Sequence, residues 1–114
     1  MNERDRGLLL KIKDEAEFLL EVTENRDLHN FLTDRRLQYV VLMALIKIEE
    51  SVKSLSKELK QEYQEIEWRD ITGFRDIAVH NYDGLHMERV WGNVTKDVPE
   101  LLEQVEGILR DLPP

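Results

Sequence analysis

Apolar residues fall at helical intervals along most of the chain. From Glu3 to about Val22, Leu8, Leu9, Ile12, Ala16, Leu19 and Leu20 recur at spacings of three and four, with Lys11, Lys13, Asp14, Glu15 and Glu17 between them. That pattern predicts an amphipathic helix with one buried stripe. Asn25-Arg26-Asp27 interrupts it, and Asp27 suits the N-cap of a short turn over Leu28–Leu32. Thr33 or Asp34 then caps the longest predicted helix. It runs to about Leu59, because Leu37, Val40, Val41, Ala44, Leu45, Ile48, Val52, Leu55 and Leu59 all keep the interval. At 1.5 Å per residue such a helix spans about 35–40 Å and can act as a spine.

Lys60–Glu67 is polar and reads as a linker. A third helix of modest length is predicted from Trp68 to about Asn81, where Asn81-Tyr82-Asp83-Gly84 ends it and Gly84 suits a left-handed C′ position. A last helical region starts near His86 and passes through Val90, Trp91 and Val94. Pro99 is expected to kink or restart it, and Leu101, Leu102, Val105, Ile108 and Leu109 complete its stripe before a frayed Pro113-Pro114 end. The sum is an all-α protein: four main helices in an antiparallel bundle forming one domain, 1–114.

Composition narrows the function classes. There is no cysteine, which excludes disulfides, thiolate metal sites and a cysteine nucleophile and fits a reducing cytoplasm. The first residues, MNERDRGLLL, do not make a signal peptide. No apolar stretch reaches the roughly 18–20 residues of a membrane span. The net charge is −8, so the chain does not advertise the basic face by which proteins hold long nucleic acid. Glu49 and Glu50 lie together in the long helix, but a di-iron bundle needs Glu-x-x-His on two helices and the chain has none. A solvated face or an interhelical ion pair is the expected role of these carboxylates, and no metal or other cofactor is predicted.

Chemistry concentrates between Trp68 and Trp91, which holds both tryptophans and two of the three histidines. Trp68, Arg75 and Tyr82 are spaced by seven and so align along a straight helix, beside an apolar stripe of Ile71, Phe74 and Ala78. This predicts an aromatic and cationic stripe at a cleft or subunit interface. Arg75 offers a permanent charge and a planar fork that fits phosphate. His80 can give or take a proton near neutral pH. The two are five residues apart, which turns them about 140° around the axis. A two-fold dimer would bring them together and supply two copies of His80, one as base and one as acid. That kit suits RNA cleavage through the ribose 2′-hydroxyl. The same residues also fit plain structural roles, with Arg75 bridging to Glu50 or Asp76 and His80 favoured by a helix C-terminus.

The segment resembles the HEPN superfamily and, within it, the HepT-like toxin family. The resemblance rests on R-x-x-x-x-H-x-Y, matched by Arg75, His80 and Tyr82, and on a polar residue after the arginine, Asp76. Around it stand Trp68-Arg69, Gly73-Phe74-Arg75, Val90-Trp91, and upstream Glu50 with Leu55-Ser56, similar to the family's G-E-A-x-x-x-L-S segment. The resemblance implies a four-helix HEPN bundle that dimerises with two motifs facing one cleft. It implies a metal-independent endoribonuclease toxin in which Arg75 and His80 are catalytic, Asp76 supports them, and RNA is the substrate. It also implies a minimal nucleotidyltransferase antitoxin that silences the toxin by AMPylation of Tyr82. Two positions depart from the family: Asp76 stands where Asn is usual and adds negative charge near the phosphate site, and Glu49 stands where Gly is frequent. Either would lower ribonuclease activity while keeping the fold. The alternatives are therefore a non-catalytic module that binds a nucleotide or the nucleotidyltransferase partner, and a purely structural helical dimer.

Overall fold

The computed structural model describes residues 2–71 and 86–111. Every regular element among them is a helix. They are α1 (Glu3–Val22), α2 (Leu28–Thr33), α3 (Arg35–Ser54), α4 (Lys57–Glu62), α5 (Trp68–Ile71), α6 (Met87–Gly92), a π-helical turn (Asn93–Asp97) and α7 (Val98–Asp111). The third predicted helix beyond Ile71 and its Gly84 terminus lie outside the described residues.

Capping residues set the early boundaries. The Asn2 side chain accepts from the Asp5 amide at 2.7 Å and opens α1. At its other end the Thr23 hydroxyl donates to the Leu19 carbonyl at 2.6 Å, and Asn25 takes the left-handed conformation at φ 61° that turns the chain away. Asp27 and Asn30 form a reciprocal capping box at the start of α2, with bonds of 2.9 and 2.8 Å. The last carbonyls of α2 are met by the Gln38 amide, which donates to Phe31 O at 2.8 Å and to Leu32 O at 3.2 Å. Asp34 caps α3 by accepting from the Leu37 amide at 3.1 Å.

The long helix stops earlier than its apolar pattern predicts. It has 20 residues, about 30 Å, and ends at Ser54. Leu55 and Ser56 are extended, and Ser56 opens α4 by accepting from the Leu59 amide at 3.2 Å. The break is held from outside: the Ser56 amide and hydroxyl both donate to the Asp5 carboxylate, at 3.0 and 2.5 Å. Leu55 and Leu59 remain buried on either side, so the apolar interval runs straight across a helix boundary. The polar linker after Lys60 is therefore partly α4, and only Tyr63–Glu67 is a turn.

Helix α1 packs against both α3 and α7, α2 lies on α3 and α6, and α5 meets α3. Three contacts fix α1 and α3 as antiparallel: Asp5 with Ser56, Glu15 with Lys47 at 3.1 Å, and Arg26 with Asp34 at 3.6 Å. The core runs through Leu9, Ile12, Ala16 and Leu19 of α1, Val41, Leu45, Ile48 and Val52 of α3, and Val90, Val94, Val98 and Val105 of the last helical run. Pro99 is the second residue of α7, so the α-helix restarts beside it, after the π turn, as the sequence predicts. The π turn just before it, in which the Val98 amide donates to Asn93 O, spreads the carbonyls that the pyrrolidine ring would otherwise strike. No described helix is long and apolar enough to cross a membrane.

Candidate functional site

Arg75, Asp76, His80 and Tyr82 lie outside the described residues, so the structure shows the frame on either side of them. On the upstream side, Trp68 is only 9% exposed and its indole N–H donates to the Tyr63 carbonyl at 3.1 Å. The ring is spent on the core and on tying the turn to α5. It offers no open aromatic face at this end of the expected stripe, whose other members, Arg75 and Tyr82, lie outside the described residues. Ile71 is buried beside it, whereas Arg69 and Asp70 are exposed.

On the downstream side, His86 holds φ 69°, a left-handed conformation that costs a non-glycine residue energy. Its carbonyl accepts from the Arg89 amide at 3.0 Å, so the backbone of His86 starts α6 while its side chain is exposed. Val90 is buried, and Trp91 stacks on the fully buried Phe31 with ring centroids 5.2 Å apart and an interplanar angle of 28°. The Val-Trp pair thus joins α6 to α2. Arg69 and Arg89, both exposed, bracket the 72–85 segment and place a permanent cation at each end of it.

Between the upstream strip and the last helical run lies a cleft of about 660 Å³. Glu65, Glu67, Arg69, Asp70 and Ile71 form one wall. Asn93 and Asp97 of the π turn, with Glu100, Leu101 and Gln104 of α7, form the other. Among the described residues five carboxylates and one guanidinium line it, an acidic surface that disfavours a phosphodiester. The π-turn residues were not legible as site residues, since a π turn shifts side-chain phase without altering composition. Pro99 was the one local signal.

Glu49 departs from expectation. It is 4% exposed, and Glu49 Oε2 has no hydrogen-bond partner among the described residues. It sits two turns after buried Leu42 on the same face of α3, while Glu50 is exposed. Glu50 thus lies on a solvated face as expected, whereas Glu49 is buried and makes no ion pair among the described residues. The Leu55-Ser56 step of the upstream motif has a structural explanation in the Ser56–Asp5 bonds. Among the described residues no cluster of three histidine or acidic side chains is arranged to hold a metal ion.

Comparison with known proteins places these features in a family context. The family model described as "Ribonuclease HepT-like" matches residues 12–108. A "putative RNase" of Caldanaerobacter subterraneus subsp. tengcongensis is 34% identical over 105 residues, covering 92% of this chain and 94% of the relative. A "putative RNase" of Methanocaldococcus jannaschii is 28% identical over 113 residues, 98% and 97% of the two chains. A "probable ribonuclease HepT" of Thermococcus cleftensis is 30% identical over 110 residues, 96% of this chain and all of the relative. No solved structure matches the chain at a significant level.

Proposed function

This chain belongs to the HepT-like ribonuclease family, and from that premise we propose that it is a metal-independent endoribonuclease toxin, active as a homodimer in the cytoplasm. The observation that carries the reading is Arg75-x-x-x-x-His80-x-Tyr82 inside the span matched by the family model. In the reaction, His80 takes the proton of a ribose 2′-hydroxyl, and the oxygen attacks the adjacent phosphorus. The bond to the 5′-oxygen breaks, and His80 of the second protomer returns a proton to that leaving oxygen. The products are a 2′,3′-cyclic phosphate and a 5′-hydroxyl. Arg75 neutralises the phosphoryl oxygens as charge builds on them, and Asp76 orients Arg75 or His80. The partner is a minimal nucleotidyltransferase antitoxin. It transfers AMP from ATP, as the Tyr82 oxygen attacks the α-phosphorus and pyrophosphate leaves, placing a bulky anion where the RNA phosphate would bind. The fold of this proposal is a four-helix HEPN bundle whose two motifs share one dimer cleft.

Incubating protein free of AMP with total RNA in EDTA tests the reading. Cleavage by wild type and none by His80→Ala is expected; equal cleavage by both would refute it. The acidic lining of the cleft between Glu65–Ile71 and the last helical run favours a second reading, a non-catalytic HEPN module that binds a nucleotide or the nucleotidyltransferase. A dimeric wild type that leaves RNA intact yet binds that partner selects it.

A further inference from the structure

A groove runs along the seam of α1 and α3, on a face that the described motif frame does not use. Its floor is apolar: Phe18, Tyr39, Val40 and Met43 line a hollow of about 840 Å³. Three of these are large side chains left in the open, Phe18 at 44%, Tyr39 at 57% and Met43 at 58% exposure. Clustered exposure of this kind marks an interaction surface more often than scattered single residues do. The rim is acidic, with Asp14, Glu17 and Glu21 along α1. Glu15 also lines it but is already engaged by Lys47 at 3.1 Å. A second hollow, from Leu8 to Ser54, shares Asp14, Glu15 and Lys47 with the first, so the two join end to end. From Leu8 to Glu21 the groove follows α1 for about 20 Å, the length of a helix of about 14 residues.

Charge selects the occupant. A symmetric contact between two copies would set each acidic rim against a surface of the same sign, which opposes association. Nucleic acid is repelled by the same carboxylates. A protein helix with an apolar stripe flanked by Lys and Arg fits both floor and rim. At one end of the floor the chain's own Arg35 guanidinium sits 5.5 Å from the Tyr39 ring centroid and donates to its hydroxyl at 3.3 Å, which leaves Phe18 and Met43 as the open anchors. We propose that the α1–α3 groove is a docking site for a basic amphipathic helix of a protein partner. The proposal does not depend on the ribonuclease reading, since none of the residues it uses belongs to the Arg75–Tyr82 motif.

The test uses the full chain and synthetic fluorescent peptides of about 14 residues. One carries leucines at i, i+4, i+7 and i+11 between Lys and Arg flanks. Its twin has Glu in place of the basic residues, and a scramble keeps composition but not the stripe. Anisotropy titration should show the basic amphipathic peptide binding at least about tenfold more tightly than either control. Phe18→Ser and Met43→Ser should each weaken it about tenfold. Glu17→Lys with Glu21→Lys should weaken it comparably and flatten its salt dependence. All four positions are exposed, so circular dichroism should show unchanged folding, and His80→Ala should bind as wild type does. Equal binding of the twin or the scramble overturns the proposal, as does binding indifferent to Phe18 and Met43. A dimer in sedimentation velocity that Met43→Ser dissociates assigns the face to self-association and overturns it as well.

Discussion

Replacing Ser56 by Ala should destabilise this protein more than a typical serine substitution, because one side chain holds two elements. The Ser56 hydroxyl accepts from the Leu59 amide to start α4 and donates to the Asp5 carboxylate at 2.5 Å. Loss of the cap costs about 1 kcal/mol. Loss of a hydrogen bond to a charged group costs about 1.5–3 kcal/mol, the more so because Asp5 is 2% exposed and cannot turn to water instead. The two together give about 3 kcal/mol. Asp5→Ala should cost a similar amount, since it leaves the Ser56 amide without its acceptor at 3.0 Å. The double variant should lose less than the sum, with a coupling of at least about 1.5 kcal/mol. Urea denaturation followed by circular dichroism measures all three, and at about 4–8 °C per kcal/mol the shift in Tm is also large. A Ser56→Ala loss under about 0.5 kcal/mol, or simple additivity with Asp5→Ala, would refute the account of why the long helix breaks at Leu55.

Three further outcomes are expected. Glu49→Met should hold or raise stability by up to about 3 kcal/mol, because it removes a buried carboxylate with an unpartnered oxygen among the described residues; a clear loss would mean the carboxylate makes a stabilising contact. A double-mutant cycle of Phe31→Leu and Trp91→Leu should give a coupling of about 0.5–1.5 kcal/mol for the stacked pair, and zero coupling would remove the ring contact as the link between α2 and α6. Desolvation, and then the carboxylates of Asp111 and Glu62, hold the Tyr63 phenol above its ordinary 10.0. The folded state therefore keeps that proton more tightly than the unfolded chain. The stability this gives is complete below pH 10 and is lost as pH rises through the folded value. Tyr63→Phe should flatten that alkaline decline, and an unchanged slope would contradict it.

Helix starts were legible in the sequence where a short polar side chain could reach back to an amide. Asp27 and Asp34 did so at the predicted positions. Helix ends were less legible. Leu55 and Leu59 continue the apolar interval across the break because burial, not helical continuity, is what the interval reports. The agent of the break, Asp5, lies 51 residues away in sequence. The π turn was hidden for a related reason: it inserts a wider turn without changing which residue types are buried. Trp68 shows the limit of spacing arguments about a site. A seven-residue repeat aligns side chains but does not say whether their line faces cleft or core, and at Trp68 it faces the core. Glu49 was misread because a charged residue is usually solvated. The motif was legible only as a pattern of residue types, and the family membership it pointed to is what the comparison supports.

In the proposed reaction Arg75 and His80 cleave RNA by internal attack of the 2′-oxygen. Mass spectrometry of the RNA ends left by protein whose Tyr82 is verified free of AMP tests it most directly. Wild type should leave 2′,3′-cyclic phosphate and 5′-hydroxyl ends in EDTA, and His80→Ala none. Ends bearing a 3′-hydroxyl, or the same ends from His80→Ala, would contradict it.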